Sequence, residues 1–154
     1  MGEAVLVIQG VDGLRALVGQ DLGTSGWREI TQEQIDQFAA ATGDNQWIHV
    51  DPARAKDGPF GRTIAHGYLS ISLAPVLLHE IVDVQGVSLV LNYGINKLRF
   101  PAPVPVGSKV RMAAKLAEVE DVAGGVQVVL ATVIEVKGQE KPACVAELVF
   151  RYYA

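Results

Sequence analysis

Between His66 and Val82 the chain carries a helical pattern that is apolar on almost every face. Leu69, Leu73, Val76, Leu77 and Ile81 recur at helical spacing, while Ile71, Ala74 and Leu78 fill the other faces. A helix of this kind has no side to give to water and must be enclosed. Pro75 in its middle lacks an N–H, so it removes one backbone hydrogen bond and is expected to bend the helix. What remains to enclose it reads as strands, roughly Val87–Phe100, Lys109–Val122, Val126–Lys137 and Ala143–Tyr153. Gly124-Gly125 predicts a two-residue hairpin between the second and third, and the polar run Lys137–Lys141 a second turn. Pro101–Gly107 is a rigid connector that cannot lie in a central strand. The fold class expected is α+β, an antiparallel sheet wrapped around one long central helix.

The first half of the chain is more mixed. Val5–Ile8 predicts a short strand or arm, Val11–Val18 a short helix, and Thr24–Ile30 a strand. Thr31 and Gln34 have the spacing of a capping box, and Ile35, Phe38 and Ala39 give one apolar helix face. Gly43 ends that helix, and Asp51-Pro52 starts another turn with Asp51 as N-cap and Pro52 at N1. Gly58–Gly61 is a loop. At 154 residues, 1–154 fits a single domain able to bury a core without disulfides. Net charge is −4 with no Lys/Arg cluster, so nucleic acid is not an expected partner. The lone Cys144 lies in an apolar run and reads as a buried thiol, which fits a reducing, cytoplasmic setting. The N-terminus carries Glu3 and Asp12 and no basic segment, so no signal peptide is expected. Its apolar runs break off before membrane-span length, so no membrane partner is expected.

Chemistry concentrates at the end of the first helix, in Gly43-Asp44-Asn45-Gln46-Trp47-Ile48-His49. A carboxylate and an imidazole five positions apart can converge on one water if the chain between them bends, and Gly43 favours the bend. Asp44 has a reference pKa near 3.9 and His49 near 6.5, so neutral water allows a charged acceptor beside a group that can donate or accept. Such a pair contributes roughly 10²–10⁴-fold as a general acid–base device. The plainer alternative is that Asp44 caps the turn while His49 is a satisfied core imidazole. For Asn45 and Gln46, side-chain bonds to the local backbone are at least as well supported as contact with substrate. His66, at a helix start, is expected to bond backbone, and His79 to lie near the surface. The spacings between His49, His66 and His79 match no common ligand motif, so no metal is expected.

Three motifs in order carry a resemblance: Gly43-Asp44…His49, then Ala65-His66-Gly67 opening the buried helix, then Leu98-Arg99-Phe100-Pro101-Ala102-Pro103-Val104 leading into long strands. Together they resemble the MaoC-like, or (R)-specific enoyl-CoA hydratase (hydratase 2), family, from about residue 20 to the end. The family signature G-D-x-N-P-x-H appears with Gln46 in place of Asn and Trp47 in place of Pro. These departures are similar to a subgroup of mycobacterial 3-hydroxyacyl-thioester dehydratases and nodulation-protein-N-like proteins. A serine that supports the histidine in some members falls at Pro75 here, with Ser70 and Ser72 nearby on undetermined faces.

The resemblance implies a single hot-dog fold and reversible hydration between trans-2-enoyl and (R)-3-hydroxyacyl thioesters of CoA or an acyl carrier protein, without cofactor. It implies Asp44 and His49 as the catalytic pair and the Gly67 backbone N–H as donor to the thioester oxygen. A first-turn N–H is free of helix partners, and a glycine admits a carbonyl closely. Such a donor is worth about 2.7–4 kcal/mol in other enzymes. Packing alone is the competing account of Gly67. Asn45, Gln46 and Tyr93 are candidate substrate contacts, and Arg62, Lys97 and Arg99 candidates for the carrier's phosphates. A homodimer with the acyl site near its interface is expected. The alternatives are a hot-dog thioesterase, for which the helix offers only Glu80, and a catalytically silent acyl-CoA-binding protein.

Overall fold

The computed structural model describes residues 4–154; Glu3, used in reading the N-terminus, lies outside them. The first half contains β1 (Leu6–Gln9), α1 (Gly10–Ala16), β2 (Asp21–Thr24), β3 (Arg28–Glu29), α2 (Gln32–Thr42), α3 (Trp47–Val50) and α4 (Pro52–Lys56). Then come α5 (Gly67–Ser72), α6 (Ala74–His79), β4 (Val82–Gln85), β5 (Leu89–Arg99), β6 (Lys109–Val122), β7 (Gly125–Val136) and β8 (Cys144–Tyr153).

The apolar stretch expected as one bent helix is two short ones. Leu73 keeps helical backbone between α5 and α6, and Pro75 falls in the first turn of α6, where its missing N–H leaves no interior bond broken. Leu69, Ser70 and Ile71 of α5 and Ala74, Leu77 and Leu78 of α6 are buried. The helix also stops at His79 rather than Val82. Val82 opens β4, which pairs in parallel with β1 from Leu6–Val82 to Gln9–Gln85. The alternation Val82-Asp83-Val84-Gln85 is a strand signal that the apolar helical pattern overruns.

The main sheet runs β2-β6-β7-β8-β5, with β3 also on β6 and every pair antiparallel. Along β6–β8, alternate residues turn inward: Val110, Met112, Ala114 and Leu116, then Val126, Val128, Leu130 and Ile134, then Ala146, Leu148, Phe150 and Tyr152. They share one core with Leu69, Leu73, Leu77 and Leu78, so the sheet wraps the helices as expected. Each Val, Leu, Ile, Met or Phe among them contributes roughly 1.5–3 kcal/mol when fully buried.

Two local expectations shift. The strand expected over 24–30 is the pair β2 and β3, separated at Ser25–Trp27. There Ser25 replaces ladder bonds: its N–H donates to Met112 O (2.9 Å), and its Oγ accepts from Met112 N–H (2.9 Å). The hairpin turn between β6 and β7 is Ala123-Gly124, one residue earlier than expected, with Val122 facing Gly125. Gly125 is a glycine for another reason: a Cβ there would lie 2.0 Å from the Tyr152 carbonyl oxygen.

Residues 63–65 tie the site segment to the rest. Ile64 N–H donates to Ile48 O (3.0 Å), Ala65 N–H to Val104 O (2.8 Å) and Val106 N–H to Thr63 O (2.9 Å). The proline-rich connector is therefore irregular, as expected, yet locally bonded to the strap that crosses α3.

Candidate active site

Thr31 caps α2, its hydroxyl accepting from Gln34 N–H at 3.2 Å. At the other end Gly43 adopts a left-handed conformation (φ +81°) and its N–H closes on Ala39 O, which favours glycine. The chain then runs through Asp44–Gln46 before the single turn of α3, which carries His49. Asp44 is thus outside the helix and His49 inside the next one, and the bend brings the two together.

His49 is 7 % exposed. Its Nδ1 lies 2.7 Å from Ile64 O, and a carbonyl can only accept, so Nδ1 carries the hydrogen. In the neutral ring Nε2 is then the free lone pair. Burial pushes the His49 pKa down and the neighbouring His66 acts the same way, against the Ile64 bond and the Asp44 charge. The Asp44 side chain is half-exposed, and its Oδ1 accepts from Gln46 N–H at 3.4 Å. So the turn-capping role is present, and it leaves the other carboxylate oxygen facing the histidines: Oδ2 lies 4.0 Å from His66 Nε2.

His66 is the N-cap residue of α5 and, as expected, bonds backbone. The acceptor is the carbonyl of Asp44 itself, 2.9 Å from Nε2. Its ring stacks on His49, with centroids 3.8 Å apart and planes 23° apart, and Phe38 of α2 packs on it at 4.9 Å. Asp44, His49 and His66 bring donor atoms within 4.8 Å of one another. His49 Nδ1 and His66 Nε2 both hold carbonyls, so those two nitrogens are not free to ligate an ion.

Gln32 was not among the expected residues. Its Nε2 donates to the His49 carbonyl (2.8 Å) and to Asp36 Oδ1 (2.9 Å), and its Oε1 accepts from the buried Thr63 hydroxyl (2.5 Å). Trp47, which replaces the signature proline, lies under the Arg54 guanidinium (4.3 Å) and against Gly58, where a Cβ would meet its ring at 3.0 Å. These contacts close across long sequence separations, and nothing in the local pattern announces them.

The remaining candidates divide. Asn45 Nδ2 donates to Gly43 O (3.4 Å), and Gln46 serves α3 through its backbone, its carbonyl accepting from His49 N–H (3.0 Å). Gly67 begins α5, and the Phe100 ring stands 2.9 Å from where its Cβ would be, so a close-packing reason for glycine is present beside any role of its N–H. Arg62 is exposed and donates to Val106 O at 3.1 Å. Tyr93 is exposed and does not face the core. A bulge between Asn92 and Gly94 turns it to the outer sheet face, where the Arg151 guanidinium stacks 3.7 Å from its ring. Lys97 and Arg99, opposite Glu147 and Val145, also face outward, lining a groove of about 580 Å³ floored by Ala113, Ala131 and Val133. The chain does not bring these three to Asp44 and His49. Ser70 is buried, and Ser72 donates to Tyr68 O (2.6 Å). Cys144 is buried and its thiol is pushed up to about 11 by that burial, so it is a neutral core residue.

With this geometry in view, known proteins give a consistent picture. The chain is 55 % identical over 147 residues to 3-hydroxyacyl-thioester dehydratase Z of Mycobacterium tuberculosis, covering 95 % of this chain and 97 % of that one. It is 39 % identical to nodulation protein N of Rhizobium leguminosarum, over 84 % of this chain and 82 % of the other. The (R)-hydratase from A. caviae involved in PHA biosynthesis superposes with a TM-score of 0.71 at 28 % identity, covering 86 % and 94 % of the two chains. Residues 14–139 match the MaoC like domain, and the chain belongs to that family, with its hot-dog fold.

Proposed function

We propose that this protein adds water to trans-2-enoyl thioesters, and removes it from (R)-3-hydroxyacyl thioesters, carried on CoA or an acyl carrier protein. The observation that carries the reading is the buried His49 ring, held by Nδ1 on Ile64 O so that Nε2 is bare, with a ring nitrogen within 4.8 Å of the Asp44 carboxylate. The named activities of dehydratase Z and of the A. caviae hydratase support the same chemistry.

In the hydration direction a water lies between the carboxylate and Nε2. Its oxygen bonds to C3 as the pair accepts one of its protons, and the pair returns one proton to C2, so the enzyme ends unchanged. Charge gathers on the thioester oxygen between these events. The Gly67 N–H, at a helix start and without a side chain in the way, is the donor we assign to it. Asn45 and Gln46 shape the turn under Asp44, and Arg62 is the remaining candidate for the carrier's phosphates.

The thioesterase alternative finds little support, since Glu80 is engaged by Gly26 N–H (3.3 Å) and Arg28 (3.4 Å) at the far end of α6. We read the chain as one domain over 1–154 that works as a homodimer in the cytoplasm, and β5 supports the dimer. It is a sheet edge exposed along nearly its whole length, with Leu89, Leu91, Tyr93 and Ile95 all between 44 and 57 % exposed. Among the described residues no helix is long and apolar enough to cross a membrane.

To test the function, a trans-2-enoyl-CoA is followed by loss of its conjugated absorbance while free thiol is titrated in parallel. Loss of the double bond without thiol release is expected. Thiol release with the double bond intact would move the assignment to the thioesterase.

A further inference from the structure

His66 touches both members of the acid–base pair and is spent on neither capping nor packing alone. Its Nε2–H holds the Asp44 carbonyl, and its ring lies flat on His49 with Phe38 behind it. The rest of the ring is poorly served: Nδ1 is buried without a hydrogen-bond partner. A buried polar atom left bare destabilises a fold, so a residue that leaves one bare needs a reason. Phenylalanine would supply the flat face without the orphan atom, and glutamine would supply the N–H without the face. The imidazole supplies both at once.

The geometry points to His66 as a positioning residue for the hydration reaction, a clamp that sets the Asp44 turn against the His49 ring. Asp44 needs such a clamp more than His49 does. The imidazole of His49 is buried and bonded to Ile64, while its backbone is held by Gln32. Asp44 sits half-exposed in an irregular segment whose other local bonds, Asp44 N–H to Thr42 Oγ1 and Gln46 N–H to Asp44 Oδ1, are both long at 3.4 Å. The 2.9 Å bond from His66 is the shortest contact fixing that residue. A misplacement of about 1 Å in a reacting group costs on the order of 10²-fold in rate, so a clamp of this kind acts on turnover more than on binding.

The inference rests on the hydratase reading, and its test has an arm that does not. Amide hydrogen exchange and enoyl-CoA hydration are measured for the wild type, His66→Phe, which keeps the face, and His66→Gln, which keeps a donor near Nε2. In His66→Phe the His49 amide, whose N–H bonds the Gln46 carbonyl at the end of the Asp44 turn (3.0 Å), is expected to exchange roughly tenfold faster with the β6–β8 amides unchanged. Its kcat is expected to fall about 10- to 100-fold with KM within about threefold. His66→Gln is expected to recover most of the exchange protection and part of kcat. Unchanged exchange and kcat in His66→Phe would overturn the clamp, as would faster exchange across the whole sheet, which marks a purely structural role. Should His66→Phe fail to fold, His66→Gln decides alone: protection near wild type at the His49 amide supports the clamp, and its loss there overturns it. A wild type that hydrates no enoyl thioester would count against the hydratase reading while the exchange arm still judges the clamp.

Discussion

At the residue scale the account rests on Asp44 and His49, and these were legible because the motif is contiguous and its glycine marks the bend. Their supports were not legible. Ile64 and Gln32 reach His49 from 15 and 17 positions away, and Thr63 meets Gln32 across 31. Which face of β5 Tyr93, Lys97 and Arg99 occupy was not legible either, because register shifts at Asn92/Gly94 and Ile95/Lys97 reset the alternation along the strand. We expect Asp44→Asn and His49→Gln each to lower hydratase turnover at least about a hundredfold while circular dichroism and melting stay near wild type. Near-normal turnover in either variant would remove the pair from the chemistry. His49 also links stability to pH. Burial holds its native pKa below the unfolded value of about 6.5, so unfolding takes up a proton in the window between them. That contribution is complete above about pH 6.5 and is lost as pH falls through the native value. Melting temperatures measured from about pH 7.5 down to 5 should therefore decline less steeply for His49→Gln than for the wild type; parallel slopes would contradict the linkage.

At the element scale, the apolar helix announced that it would be enclosed, and the enclosing strands could be drawn to within two or three residues. Proline placement was the harder matter. Pro75 was readable as an interruption, but only the packing of Leu73, Ala74 and Leu77 decides whether the chain bends through it or restarts after it. The parallel β1–β4 pair escaped notice because four residues of alternation adjoin a stronger helical signal. Strand contacts carry a sharper demand at Gly125. Any Cβ there collides with the Tyr152 carbonyl, backbone against backbone, so Gly125→Ala is expected to lower unfolding free energy by about 1–3 kcal/mol. Urea denaturation reads this directly, and a midpoint equal to wild type would show that β7 and β8 can part at no cost.

At the scale of the whole molecule, one long edge is left open. Among the described residues strand β5 pairs only with β8, and apolar side chains stand exposed along it, an arrangement that soluble proteins cover or interrupt. Pairing with a second copy answers this, and sedimentation velocity at about 10 μM should give a dimer that Leu91→Lys with Ile95→Lys shifts toward monomer. A wild-type monomer at that concentration would contradict it. The outward side chains Tyr93, Lys97 and Arg99 lie on the same strand, so what they touch depends on the assembly and not on one chain. The central claim is the chemistry itself, a water placed on C3 by Asp44 and His49. The most direct measurement is chiral chromatography of the product formed from a trans-2-enoyl-CoA. The account predicts the (R)-3-hydroxyacyl-CoA; the (S) product, or free CoA with the enoyl group intact, would contradict it.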